Sequence, residues 1–209
     1  MIRKGAGFTK PNASAIAWAA AWAQTLRFNP RVFIAMIRSC KSLLVLVGLL
    51  SGVSVAQADA PVVSWPQGWE IEAVPQDDAR PQVFRQRAVK HDQAGTPVMV
   101  MELTTTPVDS GHQVNLQGVL LEMRKSVQKD FFQGGYQSVC NKIHPATLSR
   151  LTALETTCTI TQNGRHVLSQ TLVAAVDADK AYVFSYAGQA EAYKASEDEI
   201  ALARNSLKL

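Results

Sequence analysis

The segment Asp109-Ser110-Gly111-His112 sets an acid, a hydroxyl and an imidazole side by side. Those are the groups of a nucleophilic hydrolase. That chemistry needs a relay in which nucleophile, base and orienting acid face one another, and adjacency along a chain does not supply it. The strand–turn–helix signature G-x-S-x-G is missing. A turn leading into a helix is the commoner meaning of such a segment. A hydrolase of unrecognised type using residues 109–112 is kept as the alternative function. The histidines His91, His112, His144 and His166 form no H-x-H or H-E-x-x-H pair. Metal centres gather three or four nitrogen, sulfur or carboxylate ligands. His91-Asp92 is the nearest approach to a fragment of one, so surface histidines are expected, with no metal and no cofactor.

Two other groupings could make contacts rather than reactions. Arg85, Arg87 and Lys90, followed by His91, form a local basic patch. Such a patch is a candidate surface for an acidic partner or lipid headgroups. Charges on a strand also guard an edge against aggregation, which is the competing reading. Trp65 and Trp69 flank Pro66-Gln67-Gly68. Paired tryptophans can stack on a sugar or peptide, although they more often pin a first strand to the core. Gly-rich phosphate loops and paired catalytic carboxylates are absent from the sequence.

Charge along the chain separates an address from a domain. The 209 residues carry a formal charge of +4, yet residues 1–58 contain no Asp or Glu and hold seven of the 21 Lys and Arg. The remaining residues, 59–209, carry 14 basic and 17 acidic side chains, a net charge of −3. That balance, with export, disfavours nucleic acid. Within 36–58, Arg38 and Lys41 precede the apolar run Leu43–Leu50 and the A-x-A signal Ala56-Gln57-Ala58. This is the pattern of a secretory signal peptide, and the run is shorter than the roughly 20 residues of a membrane span. Cleavage is expected after Ala58, since a cut after Ala60 would abut Pro61. Residues 1–35 read as an upstream extension from a start assigned too early, with Met36 the true start. An unusually long n-region and a transit peptide remain alternatives.

The expected mature chain, 59–209, has 151 residues and suits one domain; at that size roughly 70% of the unfolded surface becomes buried. It keeps two cysteines, Cys140 and Cys158. Export favours their oxidation to one disulfide, contributing about 3 kcal/mol in the chain-entropy model.

The elements that must position these residues follow from periodicity. Trp69–Val74 alternates as a half-buried strand, Gln82–Lys90 is a weaker one, and Pro97–Thr104 is apolar on both faces, as a central strand should be. Asn115 is suited to cap a helix in which Leu116, Val119, Leu120, Met123, Val127 and Phe131 recur at helical spacing, ended by Gly134-Gly135. Strands are predicted over Tyr136–His144, Leu151–Gln162, Arg165–Val176 and Ala181–Ala187. The Asn163-Gly164 turn pairs Cys158 with Ser169 and Ile160 with Val167. A turn at Ala178-Asp179 pairs Val173 with Phe184 and Ala175 with Tyr182. In that register Cys158, Ile160, Val167, Val173, Ala175, Tyr182, Phe184 and Tyr186 share one face. Ser196-Glu197-Asp198-Glu199 reads as a capping box, with Ile200, Ala203 and Leu207 facing the sheet. The fold class is α+β, an antiparallel sheet with two main helices packed on it.

The opening Pro66-Gln67-Gly68-Trp69-Glu70-Ile71 and the aromatic strand Tyr182-Val183-Phe184-Ser185-Tyr186 running into an acid-capped helix resemble the PsbP-like fold. The resemblance extends over most of residues 61–209. It points to small secreted bacterial families classed as domains of unknown function, which implies a binding or assembly module and carries over no site residues. The expectation is an exported, periplasmic or secreted, non-enzymatic binding or envelope-assembly accessory protein. Its partner would be an envelope protein or a small ligand, and it would meet the membrane only through the transient signal peptide. Beside the 109–112 hydrolase, a structural or stress-related envelope protein without a small ligand is the other alternative.

Overall fold

Long β-branched and aromatic runs separated by tight turns build one antiparallel sheet. The computed structural model describes residues 61–209 apart from residues 76, 77, 79–81, 110 and 112. The extension and signal peptide, 1–58, lie outside the described residues. The strands are β1 (Trp69–Glu72), β2 (Phe84–His91), β3 (Pro97–Pro107), β4 (Gln137–Cys140), β5 (His144–Leu148), β6 (Leu151–Gln162), β7 (Arg165–Asp177) and β8 (Lys180–Gln189). Their order is β1-β2-β3-β8-β7-β6-β4, with β5 also paired to β6. β3 sits between β2 and β8, as a strand apolar on both faces should.

Helices cover both faces. α1 (Leu116–Gln133) lies over β4, β6 and β7, and turns Leu120, Met123 and Val127 inward. Its first turn is capped by Asn115, whose side chain accepts from the Gly118 N–H at 3.0 Å. The opposite face meets α2 (Ala190–Ala195) and α3 (Glu197–Ser206). The larger core lies on that side: Met99, Met101, Leu103, Val173, Ala175, Tyr182 and Phe184 pack with Ile200, Ala203 and Leu207. The chain ends are tied together across it, Val62 and Lys208 exchanging two backbone hydrogen bonds of 3.0 Å. Gly188 on β8 faces Met99 on β3, where a Cβ would overlap the Met99 sulfur and the Val98 carbonyl. Only glycine allows so close an approach of two strands.

Three expectations need correction. First, the β7–β8 register is as predicted, Val173 opposite Phe184 and Ala175 opposite Tyr182, but β6–β7 is displaced by one residue. Cys158 faces Gln170 and Ile160 faces Leu168, because Val167 is left over in a bulge beyond the Asn163-Gly164 turn. His166 Nε2 lies 3.0 Å from Leu168 O and 2.9 Å from Ser169 Oγ, holding that bulge. A one-residue slip changes the face of every side chain beyond it. Cys158 and Ile160 therefore join the α1 side of the sheet and leave the aromatic face.

Second, Tyr136–His144 is not one strand. β4 and β5 run along the same edge of β6, broken at Asn141. There Asn141 Oδ1 accepts from the Thr157 N–H at 2.8 Å and from Thr156 Oγ1 at 3.1 Å, standing in for ladder bonds. Pro145 falls inside β5 and not in a connection, which an edge strand tolerates. Third, Ser196 precedes α3 but its side chain makes no cap bond. Glu199, the expected partner in the box, binds Lys90 and Trp69 instead.

Candidate functional site

The α2/α3 face ends at the β5–β6 hairpin in an open cleft of about 650 Å³. β5 supplies one wall through His144, Pro145, Ala146 and Thr147. The other is α3, where Glu197, Ala201, Arg204 and Asn205 follow the i, i+4, i+7/i+8 spacing of a single helical stripe. Glu155 of β6 and the rings of Tyr186 and Tyr193 lie between them.

The interior of this cleft is fixed by its own contacts. Glu155 accepts from Arg204 Nη1 at 2.6 Å and has His144 Nε2 at 3.7 Å. Arg204 Nε donates to the Thr147 carbonyl at 2.6 Å, so one guanidinium ties α3 to both strands of the hairpin. Tyr186 and Tyr193 stack at 5.7 Å with their planes 25° apart. The Tyr193 hydroxyl lies 2.6 Å from Thr171 Oγ1, which lies 2.6 Å from Thr157 Oγ1. Burial pushes both tyrosines above the ordinary phenol range; for Tyr186 the neighbouring Tyr193 and Glu155 add to it. Both phenols stay neutral at physiological pH, as hydrogen-bonding groups rather than as bases; Tyr186 is buried against Phe184 and Tyr193, and only the Tyr193 ring is partly exposed. The arrangement suits holding a ligand. It offers no hydroxyl–imidazole–acid relay.

The basic trio is divided by the pleat. Arg85 and Arg87 face the α1 side, opposite Thr104 and Glu102, whereas Lys90 faces α3. Arg87 donates from Nε and Nη2 to Oε2 of fully buried Glu102, at 2.8 and 2.6 Å, and lies 3.7 Å from Glu72. Lys90 Nζ donates to both oxygens of Glu199 at 2.9 and 2.8 Å and lies 5.9 Å from the centre of the Trp69 ring. Trp69 Nε1 donates to Glu199 at 2.7 Å. Desolvation pushes the Glu199 carboxyl up, but the hydrogen bonds from Lys90 and Trp69 and the charge of Lys90 outweigh it and hold it below the usual range. Trp69 thereby pins β1 to α3, and Trp65 packs half-buried against the same core. Of the trio, Arg85 is left half-buried without an ion pair among the described residues.

Cys140 and Cys158 are joined in a disulfide between directly opposite residues of β4 and β6. Ser110 and His112 lie outside the described residues. His91 approaches Glu70 at 3.6 Å. Among the described residues no group of three or more His, Cys, Asp or Glu is placed to hold a metal, and no helix is long and apolar enough to cross a membrane.

With the topology and the cleft in view, known proteins give a family. Residues 60–209 match the family described as Domain of unknown function (DUF4946). The chain belongs to it. None of the curated proteins matches. Among solved structures, this DUF4946 domain is similar to cyanobacterial PsbP (CyanoP) from Synechocystis sp. PCC 6803. The TM-score is 0.54 at 14% identity, over 78% of this chain and 98% of that one. LpqN of Mycobacterium tuberculosis, described as involved in cell envelope biogenesis, aligns at 0.45 and 15% identity, over 74% and 86%. The DUF4946 fold is thus PsbP-like α+β, as the opening Trp69 strand and the Tyr182–Tyr186 strand implied. The cleft was not foreseen. Its sequence signal is one acid, Glu155, in a Thr- and Ala-rich strand, and its counter-ion lies 49 residues away.

Proposed function

We propose that this DUF4946 domain is an exported, non-enzymatic binding or envelope-assembly accessory module that takes its ligand in the cleft between β5 and α3. The observation that carries the reading is the Glu155–Arg204–Thr147 tie, which holds an open, aromatic-floored cleft in place. Clefts with apolar and aromatic linings and a few fixed polar groups are the usual form of small-ligand sites. Export is supported by the signal pattern of residues 36–58 and by the Cys140–Cys158 disulfide, a feature of oxidising compartments. An envelope partner could also meet Arg85, the member of the basic trio without an ion pair among the described residues.

The test places a photo-crosslinking residue at Ala201, inside the cleft, in the native host. A specific adduct from the periplasmic fraction is expected there and not from the exposed α1 position Gln117. Adducts from Gln117 alone would contradict the reading. A hydrolytic activity abolished by Ser110→Ala would replace it with the alternative.

A further inference from the structure

The charge left unspent in the cleft indicates what it would hold; this deepens the binding reading above and rests on it. Arg204 directs Nη1 to Glu155 and Nε to Thr147, so its charge is compensated within the wall. The Tyr193 hydroxyl is bonded to Thr171. Glu197 differs. It is exposed on the first turn of α3, lines the cleft, and has no ion pair or hydrogen bond among the described residues. The surroundings are the tyrosine stack and an apolar wall of Pro145, Ala146, Ile200 and Ala201.

We infer that the cleft binds an organic ammonium on a short apolar stem, either a lysine side chain of a partner protein or a free aliphatic amine. The ammonium would sit between the Glu197 carboxylate and the partly exposed ring of Tyr193, whose π electrons attract cations, with Tyr186, buried between Phe184 and Tyr193, backing that ring. Its stem would cover the apolar wall. With Glu155 and Arg204 cancelling, the lining carries one net negative charge when His144 is neutral. An anionic ligand would meet Glu197 without compensation, and a neutral one would leave that carboxylate without a counter-ion.

The test titrates the 15N-labelled protein, purified from its own host, with matched probes followed by NMR. Nα-acetyl-lysine methylamide and 1-aminopentane are the ammonium probes; 1-pentanol and pentanoate are the neutral and anionic controls. Both ammonium probes should shift the Tyr193, Ala201 and Arg204 signals. Glu197→Gln should weaken them about fivefold, the scale of one exposed ion pair, while Glu191→Gln on α2 should not. Tighter binding of the lysine derivative would assign the ammonium to a partner protein, and equal binding to a free amine. If 1-pentanol matches 1-aminopentane, or Glu197→Gln changes nothing, ammonium recognition is wrong while a binding cleft stands. If no probe moves those signals, ammonium recognition is wrong, and the binding reading also falls if Ala201 gives no adduct.

Discussion

The two ends of the α3 face use similar side chains to different ends. At the β1–β2 end, Lys90, Glu199 and Trp69 close on one another, and on the other side of the same strands Arg87 closes on buried Glu102. At the β5–β6 end, Arg204 and Glu155 also pair, but their pairing leaves an open cleft and an uncommitted Glu197. The first arrangement fastens strands to each other and to a helix. The second fastens the walls of a space. A run of charges in sequence therefore marks a contact surface less well than the charge left over once internal pairs are made.

The largest effect tests the fastening end. Arg87→Met leaves Glu102 buried without its counter-ion and should destabilise by about 3–5 kcal/mol, the cost of breaking a buried pair from one side. The double variant Arg87→Met/Glu102→Leu should recover most of that loss in denaturant titrations. A single variant within 0.5 kcal/mol of wild type, on the order of an unremarkable surface change, would remove the distinction between the ends. Opening the Cys140–Cys158 bond should cost about 3 kcal/mol. Without reductant, no thiol of this pair should be alkylated; two reactive thiols would contradict the bond.

Glu199 gives the next step. Glu199→Gln should cost about 1–2 kcal/mol, as expected when a charged hydrogen-bond acceptor is replaced. Its carboxyl is held below the ordinary glutamate value of 4.5 in the fold. The unfolded state thus binds its proton at higher pH than the native state does. The stabilisation is complete above the unfolded value and is lost as pH falls through 4.5 towards the lower folded value. Wild type and Glu199→Gln should therefore converge in stability on acidification below that point. A constant gap down to pH 2, on the order of the lowest carboxylate values, would show that the ion pair is not responsible.

Much of the fold was legible because it is written in local terms. Asn115 caps α1, Asn163-Gly164 turns a hairpin, and Ile200, Ala203 and Leu207 face the core. What escaped depends on partners distant in sequence. The β6–β7 register turned on His166 gripping its own bulge. The Ser196–Glu199 box dissolved because Lys90 and Trp69 compete for the carboxylate from more than 100 residues away. The cleft lies further still from a local pattern. Its residues come from β5, β6, β8, α2 and α3, and become neighbours only when the sheet is assembled.

The smallest stability change is expected at Glu197. Its replacement by Gln should leave unfolding within about 0.5 kcal/mol of wild type, as for an exposed side chain without a partner, while altering ligand capture. The most direct test of the account places the same photo-crosslinker at Ala201 or at Arg85 in the native host and compares the adducts. The account predicts that Ala201 captures a specific partner or ligand in greater yield than Arg85. Capture at Arg85 with none at Ala201 would move the contact surface to β2 and contradict the assignment of the cleft.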